Sequence, residues 1–539
     1  MKIKVPAILL TLLISFSSIF TGCKKDFDTD KIKAYNWTPE FAVPLVNDSI
    51  TFEKALIETG TEKNFFIDES GDVSLLLYYK NNAFRISPND LLKIPPSSFQ
   101  YQHSITSVEH QVISSQDYQV PPVLYTFNLS QGNPGVRVNN LLIKKGILVI
   151  HSTNTFDNDG YLNFSFSNAT KNGIPFGTRI GPFQKGQVSD TIDLSGVIFN
   201  LSSNPNLVGL TISGLLKKSS KPVAGDQILS NFTLSILEIG WFEGYLGQLT
   251  FSPPEESVKI TVFNNAYNVG DIYFVDPKAD ITLHNSIGIP AQVTLQKLEA
   301  RNTSSGNSLD IAARLGTNAI ISIPSPSITN KTPTVTTREY SNSNTGNSIN
   351  DLFNQKPDYV DYKIKTDINP AGQSLNFFAD TSSFYADLSV KLPLFGRFSN
   401  ITVKDTFSFT INDLKEIDSL ALRTYIRNGL PLDVRLQVYF TDNNFHILDS
   451  LTGSDKILIK EAPVDPSTYL PYPGQYGVKD TTFLLGKSRI EKITGAKKIL
   501  VKGVLNSSGN GVTNVKIKSN QSLKLVFTGR VKINSSIKP

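Results

Sequence analysis

The chain has 539 residues, 40% of them hydrophobic and 18% charged, and a formal net charge of +5. This length gives room for about three or four domains with sizeable cores, and the composition is globular rather than disordered. The charges are scattered along the chain instead of gathered in a basic stripe, so no nucleic-acid partner is expected.

Aromatic content favours strands over helices. The sequence contains 33 Phe and 19 Tyr but a single Met. Aromatic side chains, like β-branched ones, suit the pleated and half-buried surface of a sheet. We therefore expect an all-β protein.

Residues 1–22 have the layout of an export signal. Lys2 and Lys4 give it a basic start, an apolar run covers residues 5–20, and small residues precede Cys23. The run is too short to cross a bilayer, which requires about 20 apolar residues. Cys23 is the only cysteine, so it forms no intramolecular disulfide and belongs to no cysteine-based metal cluster.

The segment Phe20-Thr21-Gly22-Cys23 resembles the lipobox of bacterial lipoproteins. The resemblance implies cleavage before Cys23, a diacylglycerol on its sulfur and a third acyl chain on the new amino terminus. Because a single acyl chain anchors only marginally, three chains hold a protein on a membrane essentially permanently. We predict that Cys23 is the lipidation site and that the membrane is its partner. A signal peptide with a chance cysteine is the alternative.

Residues 23–35 are expected to form a lipidated tether. The charged stretch from Lys24 to Asp30 resembles the surface-export signal behind the cysteine of Bacteroidota lipoproteins, although Phe27 interrupts its acidic residues. The resemblance implies a protein that is lipid-anchored in the outer membrane and exposed at the cell surface. A plain solvated tether is the alternative.

Beyond the tether, apolar and polar residues alternate with the period of two that marks half-buried strands. The clearest runs cover residues 258–262, 384–392, 401–411, 434–438 and 523–527. Helical periodicity is scarce. The candidate helices span only a turn or two, at 51–58, at 348–354 with Ser348 as N-cap, and at 489–493.

A weak internal repeat organises the chain. Three times, a strand meets an Asn and then a Gly-aliphatic-Pro corner, in residues 162–175, 281–290 and 422–431. Asn and Gly tolerate positive φ, and Pro suits the first residue of a strand or an edge. The spacings between the Asn residues are 117 and 143 residues, the size of one β-sandwich domain.

Residues 276–290 resemble the start of the immunoglobulin-like sandwich of type 2 late-embryogenesis-abundant proteins, where an Asp-Pro strand runs to an Asn and a Gly-containing bend. The resemblance implies a fold and no activity. Residues 37–45 and 404–407 resemble segments of large, uncharacterised Bacteroidota lipoproteins, and this family carries no activity to transfer. The expected fold is several consecutive immunoglobulin-like β-sandwich domains behind a lipoprotein signal peptide.

Clusters of Pro, Gly and polar residues set the expected domain boundaries. The predicted organisation is a signal peptide (1–22), a lipidated tether (23–35), an N-terminal β domain (36–135), two β-sandwiches (136–252 and 253–345) and a C-terminal β-sandwich region (346–539).

No motif predicts a catalytic, cofactor-binding or metal site. The five histidines never form an HExxH motif; they are His103, His110, His151, His284 and His446. His284 is expected to be a strand-face residue. Gly486-Lys487-Ser488 cannot end a phosphate loop, because Thr481 stands where that motif needs Gly, and no Gly-x-Ser-x-Gly elbow is present.

Two acidic motifs carry residue types found in calcium sites and in glycosidases. Asp157-Asn158-Asp159-Gly160 resembles a fragment of a calcium loop but lacks the Glu that completes it, so an Asp-Gly hairpin turn is favoured. The pair Glu255-Glu256 could serve glycoside chemistry only if two carboxyl groups face each other across a substrate, which a sequence does not reveal.

Three classes of function stay open. The leading expectation is a non-enzymatic structural or interaction protein, anchored through the lipid on Cys23, whose partner is a surface protein or a polysaccharide. A fimbrillin-like pilus subunit is a variant that would require N-terminal proteolysis and strand exchange at an open sheet edge. The second class is a glycan-binding surface lipoprotein that works with an outer-membrane importer. The third is a secreted hydrolase.

Overall fold

The fold was obtained as a computed structural model. It describes residues 36–37, 40–53, 65–130, 132, 135–263, 270–372, 374–409, 417–533 and 535–536. Cys23, the signal segment and the tether lie outside the described residues, as does most of the helix expected at 51–58. In the described ranges, no helix is both long and apolar enough to cross a membrane.

The protein is all-β, with 59% of the described residues in strands and 10% in helices. The strands up to residue 251 are β1 (Asn36–Trp37), β2 (Glu40–Thr51), β3 (Phe65–Asp68), β4 (Leu75–Ile86), β5 (Ser97–Ser104), β6 (Tyr118–Asn128), β7 (Arg137–Asn154), β8 (Gly160–Lys171), β9 (Ile174–Phe183), β10 (Gly186–Asp193), β11 (Val197–Asn200), β12 (Leu207–Leu216), β13 (Gln227–Tyr245) and β14 (Leu249–Phe251).

The remaining strands are β15 (Glu256–Lys259), β16 (Asp271–Phe274), β17 (Lys278–Asn285), β18 (Ala291–Arg301), β19 (Ser308–Asp310), β20 (Ile320–Ile323), β21 (Thr334–Tyr340), β22 (Tyr359–Ile368), β23 (Asn376–Ala379), β24 (Phe384–Pro393), β25 (Phe395–Ser399), β26 (Ile401–Ser408), β27 (Ile417–Asn428), β28 (Leu432–Thr441), β29 (Ile447–Ser450), β30 (Ile457–Ile459), β31 (Gly477–Gly486), β32 (Lys498–Ser507), β33 (Val515–Lys516), β34 (Ser522–Ile533) and β35 (Ser535–Ser536).

The helices are short connectors. They are α1 (Pro88–Leu91), α2 (Ser107–Ser115), α3 (Asn342–Thr345), α4 (Ser348–Asn354), α5 (Lys487–Lys492) and α6 (Ser508–Gly511), with 3-10 turns at Ala312–Ala319 and Ile493–Gly495. The helix expected at 348–354 is confirmed, but its N-cap is Asn347, and Ser348 is the first helical residue. The expected helix at 489–493 begins two residues earlier, as α5.

The strands form three larger assemblies. The large sheet has the order β23-β13-β7-β11-β8-β12-β6, with β5, β9 and β10 paired to its members. The middle sandwich packs the sheet β14-β22-β18-β19, extended by β15 and β20, against the sheet β21-β17-β24-β4-β3. Side chains such as Ile281, Leu298, Val360 and Val390 line the seam between these two sheets.

The C-terminal sandwich contains the sheet β2-β34-β27-β31 and the sheet β26-β32-β28-β29, to which β30 adds through β28. Two small elements complete the chain, a three-stranded sheet β16-β25-β33 and the strand pair β1-β35. Buried side chains from all these assemblies form one hydrophobic cluster. Its alternating burial confirms the period of two, for example along β24.

Strand pairing crosses the division expected from turn signals. Within residues 36–135, β2 pairs with β34, β4 pairs with β24, and β5 and β6 join the large sheet. Within residues 346–539, β22 and β24 belong to the middle sandwich and β23 to the large sheet. Turn-forming residues mark where a strand ends, whereas the choice of partner strand depends on side-chain packing across the whole chain.

Candidate functional site

A cleft of about 800 Å³ opens at one edge of the C-terminal sandwich. It lies between edge strands of the two sheets, since β31 pairs with β27 alone among the described strands and β30 pairs with β28. Its walls come from three short segments and one helical residue: Asp449, Leu451, Thr452, Gly453, Asp455, Lys456, Ile457, Leu458, Lys479, Thr481, Phe483 and Arg489.

The shape of the cleft follows from how β30 and β31 diverge. At one end, Gly477 is so close to Lys460 that a Cβ atom on it would overlap the Lys460 carbonyl oxygen. Only glycine permits this approach. Further along, the two strands no longer cover each other, and Phe483 on β31 and Leu458 on β30 line an open space.

The turn that forms one wall is held by the buried side chain of Gln437. The Nε2 atom of Gln437 donates to the carbonyl oxygens of Gly453 at 2.9 Å and Asp455 at 2.8 Å. Its Oε1 atom accepts a hydrogen bond of 3.1 Å from the Thr452 hydroxyl. Since Gln437 is only 4% exposed, these bonds form in a site with little competing water and fix the turn.

Arg489 fixes the same wall from α5. Its Nε atom donates to Asp449 at 2.8 Å, and its terminal nitrogen donates to the carbonyl oxygens of Ser450 and Leu451. The charge of Arg489 is therefore matched by Asp449. Hydrogen bonds and an ion pair within the protein hold both sides of this wall, so the cleft is preorganised.

Two cationic groups face the cleft without a matching partner. Lys456 lines the cleft just before β30, and Lys479 lines it from β31. Neither lysine forms an ion pair with any described residue. Asp455 is the one carboxylate of the lining that is not paired with Arg489. Thr452 and Thr481 add hydroxyl groups, and Phe483 adds an apolar surface. The lining suits a ligand that combines hydroxyl groups, negative charge and an apolar face.

The loop that joins β30 to β31 carries exposed aromatic rings. Tyr469, Tyr472 and Tyr476 are 38%, 40% and 43% exposed. The Arg427 guanidinium lies 4.0 Å from the centre of the Tyr476 ring, which holds that ring against the outer face of β27. The rings are therefore partly open to solvent at the end where β30 and β31 converge.

Tyr469 has an unusual backbone for a bulky residue, with a φ of 64°. Its ring centre lies 5.3 Å from that of Phe395, and its carbonyl oxygen accepts a 2.9 Å hydrogen bond from the Lys516 backbone. Such strain costs about 1–3 kcal/mol and is kept where the surroundings enforce it.

One group of acidic side chains has the spacing of a metal site. Ligand atoms of Glu255, Glu299 and Asp361 lie within 4.8 Å of one another. However, Lys297 bridges Glu255 at 2.7 Å and Glu299 at 2.6 Å. Arg301 donates two hydrogen bonds to Asp361, of 2.6 and 3.0 Å. Cationic groups already occupy these oxygens, so the group is an ion-pair network.

The pKa values in this network agree with that interpretation. Hydrogen bonds to Glu255 and Glu299 raise the pKa of Lys297. The hydrogen bond from Lys297 lowers the pKa of Glu299. Burial pushes the pKa of Asp361 upward, but hydrogen bonds from Arg301 and Ser257 outweigh it and hold the pKa below its usual value.

The sequence pair Glu255-Glu256 does not act as a unit. Glu255 pairs with Lys297, whereas Glu256 forms an ion pair with Lys80 on β4. Each carboxylate is therefore matched by its own cation, and glycoside chemistry would need a proton-carrying acid beside a second free carboxylate.

The five histidines lie on separate elements. His103 approaches Glu109 at 3.4 Å, His151 contacts Ser189, and His446 contacts Asp442. His284 is a strand-face residue, as expected: it stacks on Tyr385 with ring centres 4.4 Å apart and pairs with Asp387. Within the described residues, no His, Cys, Asp and Glu side chains other than the Glu255 group converge closely enough for a metal.

The segment from Asp157 to Gly160 is a turn, but it does not form a hairpin. It connects β7 to β8, which are separated by β11 in the large sheet. A depression of about 440 Å³ beside it is lined by three lysines as well as by Asp157 and Asp159, namely Lys185, Lys218 and Lys221. Three lysines oppose calcium binding there.

The lipidation site predicted at Cys23 lies outside the described residues, and the first strand begins at Asn36. Sequence reasoning did not identify the cleft, although the Pro- and Tyr-rich loop of residues 463–476 could have drawn attention to it.

Comparisons with known proteins give no family. No family model matches the chain, and no curated protein matches it. A crystal structure described as a secreted protein from Parabacteroides distasonis is similar at a TM-score of 0.30 and 12% identity, covering 54% of this chain and 89% of that one. The VP2 subviral particle of infectious bursal disease virus gives a TM-score of 0.11 at 8% identity, with 83% and 82% covered. An archaeal virus protein with a triple jelly roll fold gives 0.10 at 11% identity, with 80% and 95% covered. Similarity at this level carries no argument about function.

Proposed function

We propose that the protein is a non-enzymatic binding protein, anchored through a lipid on Cys23 to the outer membrane and exposed at the cell surface. The observation that carries the binding function is the preorganised cleft of the C-terminal sandwich, where Lys456 and Lys479 lack partners. Preorganisation reduces the entropy lost on binding, which favours a site that captures a ligand without moving.

The strand pairing supports a position of the C-terminal sandwich close to the membrane. β1 and β2 pair with β35 and β34, so the segment leading back to Cys23 leaves from the C-terminal sandwich. The 13 residues from Cys23 to Asn36 reach at most about 45 Å when fully extended, at roughly 3.5 Å per residue. The cleft-bearing sandwich is therefore the assembly most closely tied to the anchor.

The composition of the cleft favours binding over hydrolysis. Glycoside hydrolysis generally uses two carboxyl groups on opposite sides of the bond that breaks. In the cleft, Asp449 is engaged by Arg489, which leaves Asp455 as a single carboxylate. A secreted hydrolase would therefore have to place its chemistry elsewhere.

A screen with the lipidated full-length protein in detergent micelles tests this proposal. Immobilised polysaccharides and peptidoglycan are offered, and both the retained protein and the sugar released are measured. We expect retention by at least one surface polymer without release. Sugar release that is lost on changing a single Asp or Glu would overturn the non-enzymatic function, and absence of retention by every polymer would overturn binding.

A glycan ligand is favoured over a protein partner by the loop of residues 463–476. Exposed tyrosine rings fixed by neighbouring side chains offer flat apolar faces with polar tips, which suit the C–H faces and hydroxyl groups of sugars. This observation supports the glycan-binding class with an outer-membrane importer as partner.

A further inference from the structure

We infer that the cleft binds an acidic polysaccharide, with Lys456 and Lys479 contacting the anionic groups of the polymer and Phe483 packing against a sugar ring. This inference rests on the proposed binding function and adds the chemical class of the ligand.

The residues that line the cleft carry an excess of positive charge. Lys479 lies on the edge strand β31, and Lys456 directly precedes β30, the edge strand of the other sheet, so the two lysines line the opening from both sheets. The neighbouring Arg489 is already neutralised by Asp449, so the free positive charge of the cleft comes from Lys456 and Lys479. Together they outweigh the single free carboxylate of Asp455. An anionic ligand is therefore attracted and a cationic one is repelled.

The size and polarity of the cleft suit a sugar-containing ligand. Its volume of about 800 Å³ lies within the roughly 300–1,000 Å³ range of sites for small ligands. The Thr481 hydroxyl can both donate and accept hydrogen bonds, and the Thr452 hydroxyl, which donates within the protein to Gln437, can accept one from a sugar hydroxyl. Phe483 is partly buried against the hydrophobic core and lines the cleft, so its ring offers an apolar face. A free phosphate ion would use the lysines but not this extended polar and apolar surface.

An added peptide strand is the competing occupant, because β31 is an edge of its sheet. This edge strand, however, carries Lys479, whose charged side chain lines the cleft. Lysines at such positions discourage strand addition. An anionic polymer lying in the cleft meets the same charge favourably, so the lysine favours the polysaccharide over the strand.

An aromatic surface lies on the loop that joins the two strands of the cleft. The loop of residues 460–476 leaves β30 at the end where the strands converge and returns into β31, and it carries the three exposed tyrosines. A polymer longer than the cleft would reach past β30 toward these rings, whereas a single small anion would not.

The test measures retention of the full-length protein on polygalacturonate, with heparin as a sulfated polymer, dextran as a neutral one and polyglutamate as an acidic peptide. The variant Lys456→Gln/Lys479→Gln removes both charges and keeps the side-chain length. The matched control is Lys145→Gln/Lys524→Gln, which removes two exposed lysines from β7 and β34. Thermal melting shows that all variants are folded.

We expect retention on an acidic polysaccharide, a loss of affinity of at least about tenfold in the cleft variant, and wild-type affinity in the control variant. Equal retention on polyglutamate, or equal losses in the two variants, would overturn the inference in favour of non-specific charge attraction. A cleft variant that aggregates but binds normally would show that the lysines only guard the sheet edges. Retention on dextran alone would overturn the acidic ligand and leave the proposed binding function intact.

Discussion

Asn285 and Asn428 make the same hydrogen bonds 143 residues apart. Each amide donates to the backbone carbonyl four residues ahead, at 2.8 Å for Ile289 and 2.7 Å for Leu432, and each side-chain oxygen accepts from the backbone two residues ahead. A second carbonyl, of Pro324 or Lys460, is bonded by the same amide. The two corners are therefore structurally equivalent.

Replacing Asn428 with Ala should lower the free energy of unfolding by about 1–3 kcal/mol, because the carbonyl groups of Leu432, which is buried, and of Lys460 would lose the buried amide that donates to them. Chemical denaturation measures the change. Asn168→Gly is the matched control: Asn168 is exposed with a φ of 56°, which Gly adopts freely. Similar losses in both variants would contradict the role given to the amide.

The threefold Asn and Gly-aliphatic-Pro repeat was predicted from the sequence only in part. The Asn and Gly-aliphatic-Pro pattern correctly located two equivalent corners. The prediction that Asn is there because it tolerates positive φ was wrong, since neither Asn285 nor Asn428 has a positive φ. The corners require the side-chain amide. In the first copy, Asn168 lies at a break in the β8–β9 register, and Asn172 with Gly173 makes the turn. A short sequence pattern indicates which residues can form a turn. The hydrogen bonds that the Asn side chain makes to distant segments, such as those at Pro324 and Lys460, are not visible in that pattern.

The same limit applies to α2 and to the cleft. α2 was not predicted, although Thr106 and Glu109 form a reciprocal capping box that is visible in the sequence as Thr-x-x-Glu. The cleft could not be predicted, because Lys456 and Lys479 face it only through the pairing of β30 with β28 and of β31 with β27. The all-β class followed from the aromatic-rich composition, and the alternation along single strands, which depends on local residues alone, agreed with it.

Replacing Cys23 with Ala should release the protein from the membrane. Without the thiol no acyl chain is attached, and the described residues include no helix able to span a bilayer. Fractionation of cells, with detection in the soluble and outer-membrane fractions, measures the effect, and Ser18→Ala in the signal segment serves as control. The lipoprotein assignment fails if the Cys23 variant pellets with outer membranes as fully as the parent.

An acidic residue at Ile50 should destabilise the C-terminal sandwich even though it lies early in the chain. Ile50 is 3% exposed on β2 and faces Leu523 of β34 in the strand register. An unpaired buried charge costs about 3 kcal/mol or more. Hydrogen exchange should therefore speed up in β34 and β27 in the Ile50→Asp variant and stay unchanged in the large sheet.

The control for this experiment is Asn47→Asp, which adds the same charge at an exposed position of β2. It should leave exchange in β34 unchanged. If Ile50→Asp speeds exchange in the strands of residues 65–128 instead, then β2 does not stabilise the C-terminal sandwich.

The ion-pair network of Lys297 should make stability depend on pH. The pKa of Glu299 is lowered from 4.5 in the folded protein, so its contribution is present above that value and is lost as the pH falls further. The pKa of Lys297 is raised from 10.5, so its contribution is complete below that value and is lost at higher pH. The stability difference between the wild type and Lys297→Met should be greatest between these limits. Denaturation at a series of pH values measures it, and a difference that persists unchanged below pH 3 would contradict the pairing.

Two substitutions of Tyr469 distinguish its effect on stability from its effect on binding. Its φ of 64° is a conformation that Gly adopts without strain and Ala does not. Tyr469→Gly and Tyr469→Ala both remove the ring, but only the first relieves the backbone, so the Gly variant should melt at a higher temperature than the Ala variant. If the ring is held in this conformation for an acidic polysaccharide, both variants should lose retention on polygalacturonate to the same extent despite their different stabilities. Retention that follows the melting temperatures instead would mean that the ring acts only through its packing against Phe395.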